Sequence, residues 1–106
     1  HVTSEQTKPG FDPDELMNVL STADGYEHIR FRGIMGMATF TDDEAVVRSD
    51  FSRIKALADS IREVYSGLVS DFTELSIGMS DDYPIAVEYG STMVRIGSMI
   101  FGERNY

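Results

Sequence analysis

Ser80, Arg95, Gly97 and Ser98 are the residues whose types and spacing suit one chemistry, the holding of an anionic ligand. Ser80 lies in GMSDD (Gly78–Asp82), where the apolar run TELSIGM hands over to a short helical segment, Asp82 to Tyr89, closed by Gly90. Backbone amides at a helix start, joined by a serine hydroxyl, make a natural anion site. The plain alternative is an N-cap supplied by Ser80, Asp81 or Asp82. The two aspartates repel an anion, yet they also favour a helix N-terminus. RIGS (Arg95–Ser98) ends a second apolar run, TMVRIG. There Gly97 allows a backbone to approach a ligand, and Ser98 offers a hydroxyl and an amide at the next helical turn. A simple turn glycine is the alternative. Arg95 is an always-charged group inside an otherwise apolar strand, so it needs a fixed acceptor, either a carboxylate or part of a ligand.

The other chemistry-bearing residues are less specific. Met35, Met37 and Met79 can line a flat ring, although buried methionines commonly fill a core. Asp42, Asp43 and Glu44 can bind a metal, but acids at a helix start ordinarily complement the helix dipole. His28 is a lone histidine in a turn, expected to be solvated. No histidine cluster has metal-ligand spacing, and no nucleophile–histidine–acid set can be assembled, so neither a metal site nor a catalytic residue is expected. GIMG (Gly33–Gly36) lacks the G-x-G-x-x-G spacing of a dinucleotide fingerprint.

The elements that must position these residues can be read from the same string. After a polar opening segment, HVTSEQTKPG, Asp12 is placed to cap a helix, with Pro13 at its first position and Glu15 at its third. Phe11 and Leu16 hold the positions of a hydrophobic staple. Leu16, Val19, Leu20 and Ala23 form the apolar face, and a stop is expected near Asp24–Gly25. Ile29 to Phe40 is the next strand candidate, centred on Ile34, Met35 and Met37; Gly33 and Gly36 weaken it but suit close packing. From TDDEA to about Ser66, Val47, Phe51, Ile54, Ala58, Ile61 and Tyr65 recur at steps of four and three, one buried helical face. Strands are expected at Leu75–Met79 and Met93–Gly97, followed by a helical turn from Ser98 that includes Phe101 and Gly102.

Strands alternating with helices imply a parallel sheet, and the near-continuous apolar strands imply that both its faces are covered. Three strands alone leave two open edges, so the pattern reads as part of a larger α/β structure. In closed (β/α)8 barrels a phosphate site is often built from the loops after strands seven and eight. Both motifs fall there if this chain is the end of such a barrel.

Composition narrows the function classes. The 106 residues fit one small domain, with 42% apolar content. A net charge of −9 argues against nonspecific nucleic-acid binding and against docking on an anionic membrane. There is no cysteine, hence no disulfide or thiolate chemistry, and a reducing compartment is compatible with that; a cytoplasmic location is expected. No run approaches the roughly 20 apolar residues of a membrane span, and no signal-peptide pattern is present. The start at His1 rather than Met is expected to reflect processing or a longer parent.

The segments TSEQTKPGF, RGIMGMATFTDD, VRSDF and LSIGMSDDYPIAVEYGSTMVRIGSMIFGERNY resemble the pyridoxal-phosphate (PLP) homeostasis proteins, relatives of the alanine racemase N-terminal barrel. The resemblance spans nearly the whole chain, and GMSDD paired with MVRIGS-IFG is its specific part. It implies the C-terminal part of a (β/α)8 TIM-type barrel, about strands six to eight, across residues 1–106. It also implies PLP at the C-terminal mouth of the strands. Ser80 then matches the phosphate-binding serine after strand seven. Gly97 and Ser98 match the pair after strand eight, where relatives more often carry Thr than Ser. Arg95 matches the arginine facing the pyridine nitrogen, and Met79 lies beside the cofactor.

An arginine can donate a hydrogen bond to that nitrogen but does not give up a proton, which leaves the ring a poorer electron sink. Such a site suits holding PLP, or a racemase-like reaction, better than chemistry needing a stabilised carbanion. The family's Schiff-base lysine lies on its first strand, whereas this chain is expected to begin near the end of strand five. Lys8 and Lys55, the only lysines, do not match it. The expectation is therefore a PLP-binding protein of vitamin B6 homeostasis with no large turnover of its own. Its partner is expected to be a missing N-terminal half-barrel or a second copy of the chain. The alternative is a fragment of a PLP-dependent alanine racemase. Such enzymes add a β domain, so an ending at Tyr106, just after the last strand and turn, favours the first reading.

Overall fold

A computed structural model describes residues 10–22, 25–65 and 71–102. The expected opening loop with Lys8, the proposed stop at Asp24 and the last four residues lie outside the described residues. Helix α1 (Pro13–Leu20) begins as anticipated, with Asp12 Oδ1 accepting the Glu15 amide at 2.8 Å. It ends earlier than expected. Ser21 Oγ and Thr22 Oγ1 donate to the carbonyls of Asn18 and Val19, which competes with further helix.

Strand β1 is only Gly33–Met35, not the twelve-residue run read from the sequence. Arg32 and Gly36 still bond to its neighbour, through the amides of Thr73 and Glu74 and the carbonyl of Ser76. Gly33 explains why any pairing is possible here: a Cβ at this position would overlap the Glu74 carbonyl. Helix α2 (Glu44–Val64) is capped by Asp43, whose Oδ1 accepts the Ala45 amide at 3.0 Å. Strand β2 (Glu74–Met79), helix α3 (Tyr83–Glu88), strand β3 (Met93–Arg95) and helix α4 (Ser98–Phe101) complete the order. Ile96 and Gly97, expected in the last strand, instead lead into α4, with Gly97 as its N-cap.

The sheet is parallel in the order β1-β2-β3. Leu75 and Ile77 project to one side, into a core with Val47, Phe51, Ile54 and Ala58 of α2 and Ala86 of α3. A second cluster, Leu20, Ile61 and Phe72, joins α1 to the far end of α2. The alternation of β2 turns Ser76 to the opposite side, where the register pairs it with Met35 and Met93. Met35 is 66% exposed and Met93 50%. This corrects two expectations: among the described residues only one sheet face is packed, and Met35 does not fill a core. At the N-terminal end of the sheet the Ser91–Thr92 hydroxyls clamp the strands. Ser91 Oγ donates to the Ile77 carbonyl at 2.7 Å, and Thr92 Oγ1 accepts the Leu75 amide at 2.8 Å. No helix among the described residues is long and apolar enough to cross a membrane.

Candidate functional site

The C-terminal ends of the three strands open into a groove of about 1130 Å³. All five residues singled out in the sequence, Met79, Ser80, Arg95, Gly97 and Ser98, line it. Its other wall is the β1–α2 loop, Met37 to Asp42. The two strand tips are joined directly, since Ser80 Oγ accepts the Met99 amide at 3.2 Å. That bond uses an acceptor site of the hydroxyl and leaves its proton to donate elsewhere. Among the described residues, the amides of Ser80, Asp81 and Ser98, three residues that line the groove, have no acceptor.

Arg95 reaches across the uncovered sheet face. One of its terminal nitrogens, Nη2, donates to the Gly36 carbonyl at 2.6 Å and to the Ser76 carbonyl at 3.3 Å. The fixed acceptors demanded by its charge are thus backbone carbonyls, one just past β1 and one within β2, not a carboxylate. Its Nε is buried and has no partner among the described residues. Burial pushes the guanidinium below its ordinary pKa, and the charge of Asp82 opposes that shift. A partly desolvated cation with one buried donor unused is the kind of group that a ligand acceptor satisfies.

Two features escaped the sequence reading. Asp50, on α2, is only 3% exposed and accepts both the amide and the hydroxyl of Thr39 at 2.8 Å, anchoring the loop that walls the groove. Its place was legible: position 50 falls on the same helical face as Val47, Phe51 and Ile54. Phe40 and Phe101, each 86% exposed, flank the groove mouth. Met37 is half-buried and faces the groove, whereas Asp42 and Glu44 lie on its rim. His28 is exposed, as read from its turn.

Known proteins resemble this chain in sequence and fold. The pyridoxal phosphate homeostasis protein of Haemophilus influenzae is 36% identical over 106 residues, covering 100% of this chain and 44% of that protein. The human protein of the same name is 35% identical over 108 residues, which is 39% of its length. Among solved structures, PipY of Synechococcus elongatus PCC7942 without PLP superposes with a TM-score of 0.86 at 30% identity. That match covers 96% of this chain and 46% of PipY; with PLP bound, PipY gives 0.81 at 29% identity, covering 95% and 47%. The chain thus spans less than half the length of these relatives. The model of the alanine racemase N-terminal domain matches residues 1–105, over the strands, helices and groove described above, and the chain belongs to that family.

Proposed function

We propose that this chain is the C-terminal part, about strands six to eight, of a PLP-binding barrel that serves PLP homeostasis. The observation that carries the reading is the junction of the two strand tips, Ser80 Oγ to the Met99 amide, on the groove that Arg95 also lines. The residues fit the cofactor. Ser80, with its free amide and hydroxyl proton, and the Gly97–Ser98 backbone suit a phosphate. The partnerless Nε of Arg95 suits the lone pair of a pyridine nitrogen. Met79, at the end of β2, offers an apolar edge to the ring.

When bound, PLP supplies an aldehyde that condenses with amines. The chain's own residues orient and retain it. Arg95 stays protonated, so it donates a hydrogen bond to the ring nitrogen without protonating it. That arrangement weakens the ring as an electron sink and favours holding over turnover. The PLP-bound structure of PipY, at 29% identity, supports the same cofactor here. The uncovered face bearing Met35 and Met93, and the two open sheet edges, call for the rest of a longer protein or a second copy. A cytoplasmic location goes with this reading.

The test is a titration of the intact protein with PLP, repeated with Arg95→Gln and Ser80→Ala. Each variant is expected to weaken binding by about tenfold, the worth of one charge-assisted hydrogen bond. Unchanged affinity in both refutes the assignment. The family model itself favours a second reading, an amino-acid racemase fragment. Robust interconversion of D- and L-alanine by the intact protein would put that reading first.

A further inference from the structure

Asp82 occupies the N-cap position of α3, yet its carboxylate bonds no amide of that helix. Its Oδ1 instead accepts the Met79 amide at 2.8 Å, while its own amide donates back to the Met79 carbonyl at 3.2 Å. These reciprocal bonds close the step from β2 into α3 around Ser80 and Asp81. Both enclosed residues line the groove, and neither amide has an acceptor among the described residues. A carboxylate beside an anion site is ordinarily a liability. Here one oxygen is engaged by an amide, the residue is half-buried, and its charge acts on the cationic Arg95.

We propose that Asp82 is a positioning residue for phosphate: by tying its carboxylate to the Met79 amide, it holds the Ser80–Asp81 turn in the shape that presents the Ser80 amide and hydroxyl to the ligand. The inference rests on reading the groove as a PLP site. For the turn, what matters is the acceptor oxygen at this position and not the negative charge: the bond to Met79 sets the turn, whereas the charge favours the Arg95 cation and repels an incoming phosphate.

The test compares PLP with pyridoxal, which lacks the phosphate, as ligands of the intact protein followed by absorbance. Asp82→Ala is expected to weaken PLP about tenfold and to leave pyridoxal within about twofold. Asp82→Asn keeps an oxygen for the Met79 amide, so PLP affinity should hold or tighten. The ³¹P resonance of bound PLP should shift in the Ala variant and stay in place in the Asn variant. A loss of PLP affinity beyond about fivefold in the Asn variant overturns the inference, since charge then matters and the bond does not. An Ala variant that weakens both ligands equally, or neither, overturns it as well. If the Asp82→Ala protein fails to fold, the Asn variant alone decides by the same fivefold criterion. Wild-type protein that binds pyridoxal as tightly as PLP would instead defeat the PLP-phosphate reading on which this rests.

Discussion

Removing the Asp50 carboxylate should cost more than any surface substitution in this chain. The side chain is 3% exposed, and one oxygen accepts two hydrogen bonds at 2.8 Å from the Thr39 amide and hydroxyl. Bonds to a charged acceptor are worth about 1.5–3 kcal/mol each, and an unsatisfied buried donor costs about 1–3 kcal/mol. Two terms reduce the sum. Thr39 is only half-buried, so water regains part of its bonding, and deleting the carboxylate relieves its desolvation. Asp50→Ala should therefore destabilise the intact protein by about 2–3 kcal/mol. Asp50→Asn keeps shape and one acceptor, and should cost about 1 kcal/mol. Urea unfolding resolves the difference: with a slope of about 2 kcal/mol per molar, the Ala variant moves the midpoint by roughly 1–1.5 M. Thr39→Val completes a double-mutant cycle, with an expected coupling of about 1 kcal/mol. An Ala loss below about 1 kcal/mol, or equal losses for Ala and Asn, would show that the bonds to Thr39 do not stabilise the loop.

Three other expectations come from packing and charge. Gly33→Ala should abolish β1–β2 pairing, because its Cβ meets backbone at Glu74 that cannot swing aside; loss of protection of the Gly36 amide in hydrogen exchange would report it. Phe51→Ala, at a fully buried site between α2 and the sheet, should cost about 3–5 kcal/mol in the same urea assay, and a cost under about 1.5 would mean the core collapses around the gap. The hydrogen bond from Lys55 lowers the Asp59 carboxyl below its ordinary value, with the charges of Lys55 and Arg62 adding to the effect. A lowered folded-state value stabilises above the ordinary carboxylate range, and that stability is lost as pH falls through it. Because the pair is half exposed, screening leaves only a few tenths of a kcal/mol; comparing wild type with Asp59→Asn at pH 7 and pH 3 should show the gap close in acid.

The sequence made the helices legible because their signals are local. Asp12 with Glu15, and the stripe from Val47 to Ile61, need only caps and a 3.6-residue period. Strand tips were legible too, since GMSDD and RIGS mark where apolar runs meet helix starts. Strand lengths were not: hydropathy along Ile29–Phe40 continues past the residues that bond, and Gly33 is tolerated because Glu74 approaches closely, a fact of the neighbouring strand. The partner of Arg95 was hidden for the same reason. Its Nη2 meets a carbonyl 59 positions away, at Gly36, and only the sheet register brings the two together. Local spacing leaves Asp82 one of three possible caps with Ser80 and Asp81, whereas the structure bonds it backward to Met79. Asp50 lies on the periodic face of α2, but an acid within an apolar stripe carries no local sign of the Thr39 partner that satisfies it.

The hydroxyl clamp at Ser91 and Thr92 has a consequence for how this molecule can be altered. It ties β2 to the start of β3 at the pole opposite the groove, through the Leu75 amide and the Ile77 carbonyl, neither of which belongs to the groove's lining. On the proposed function, cohesion and ligand selection then fall to opposite ends of β2 and β3. Randomised libraries confined to the segments after Met79 and Arg95 can then explore new specificities without forfeiting the scaffold, whereas equal diversity at 90–92 would mostly yield chains that do not assemble.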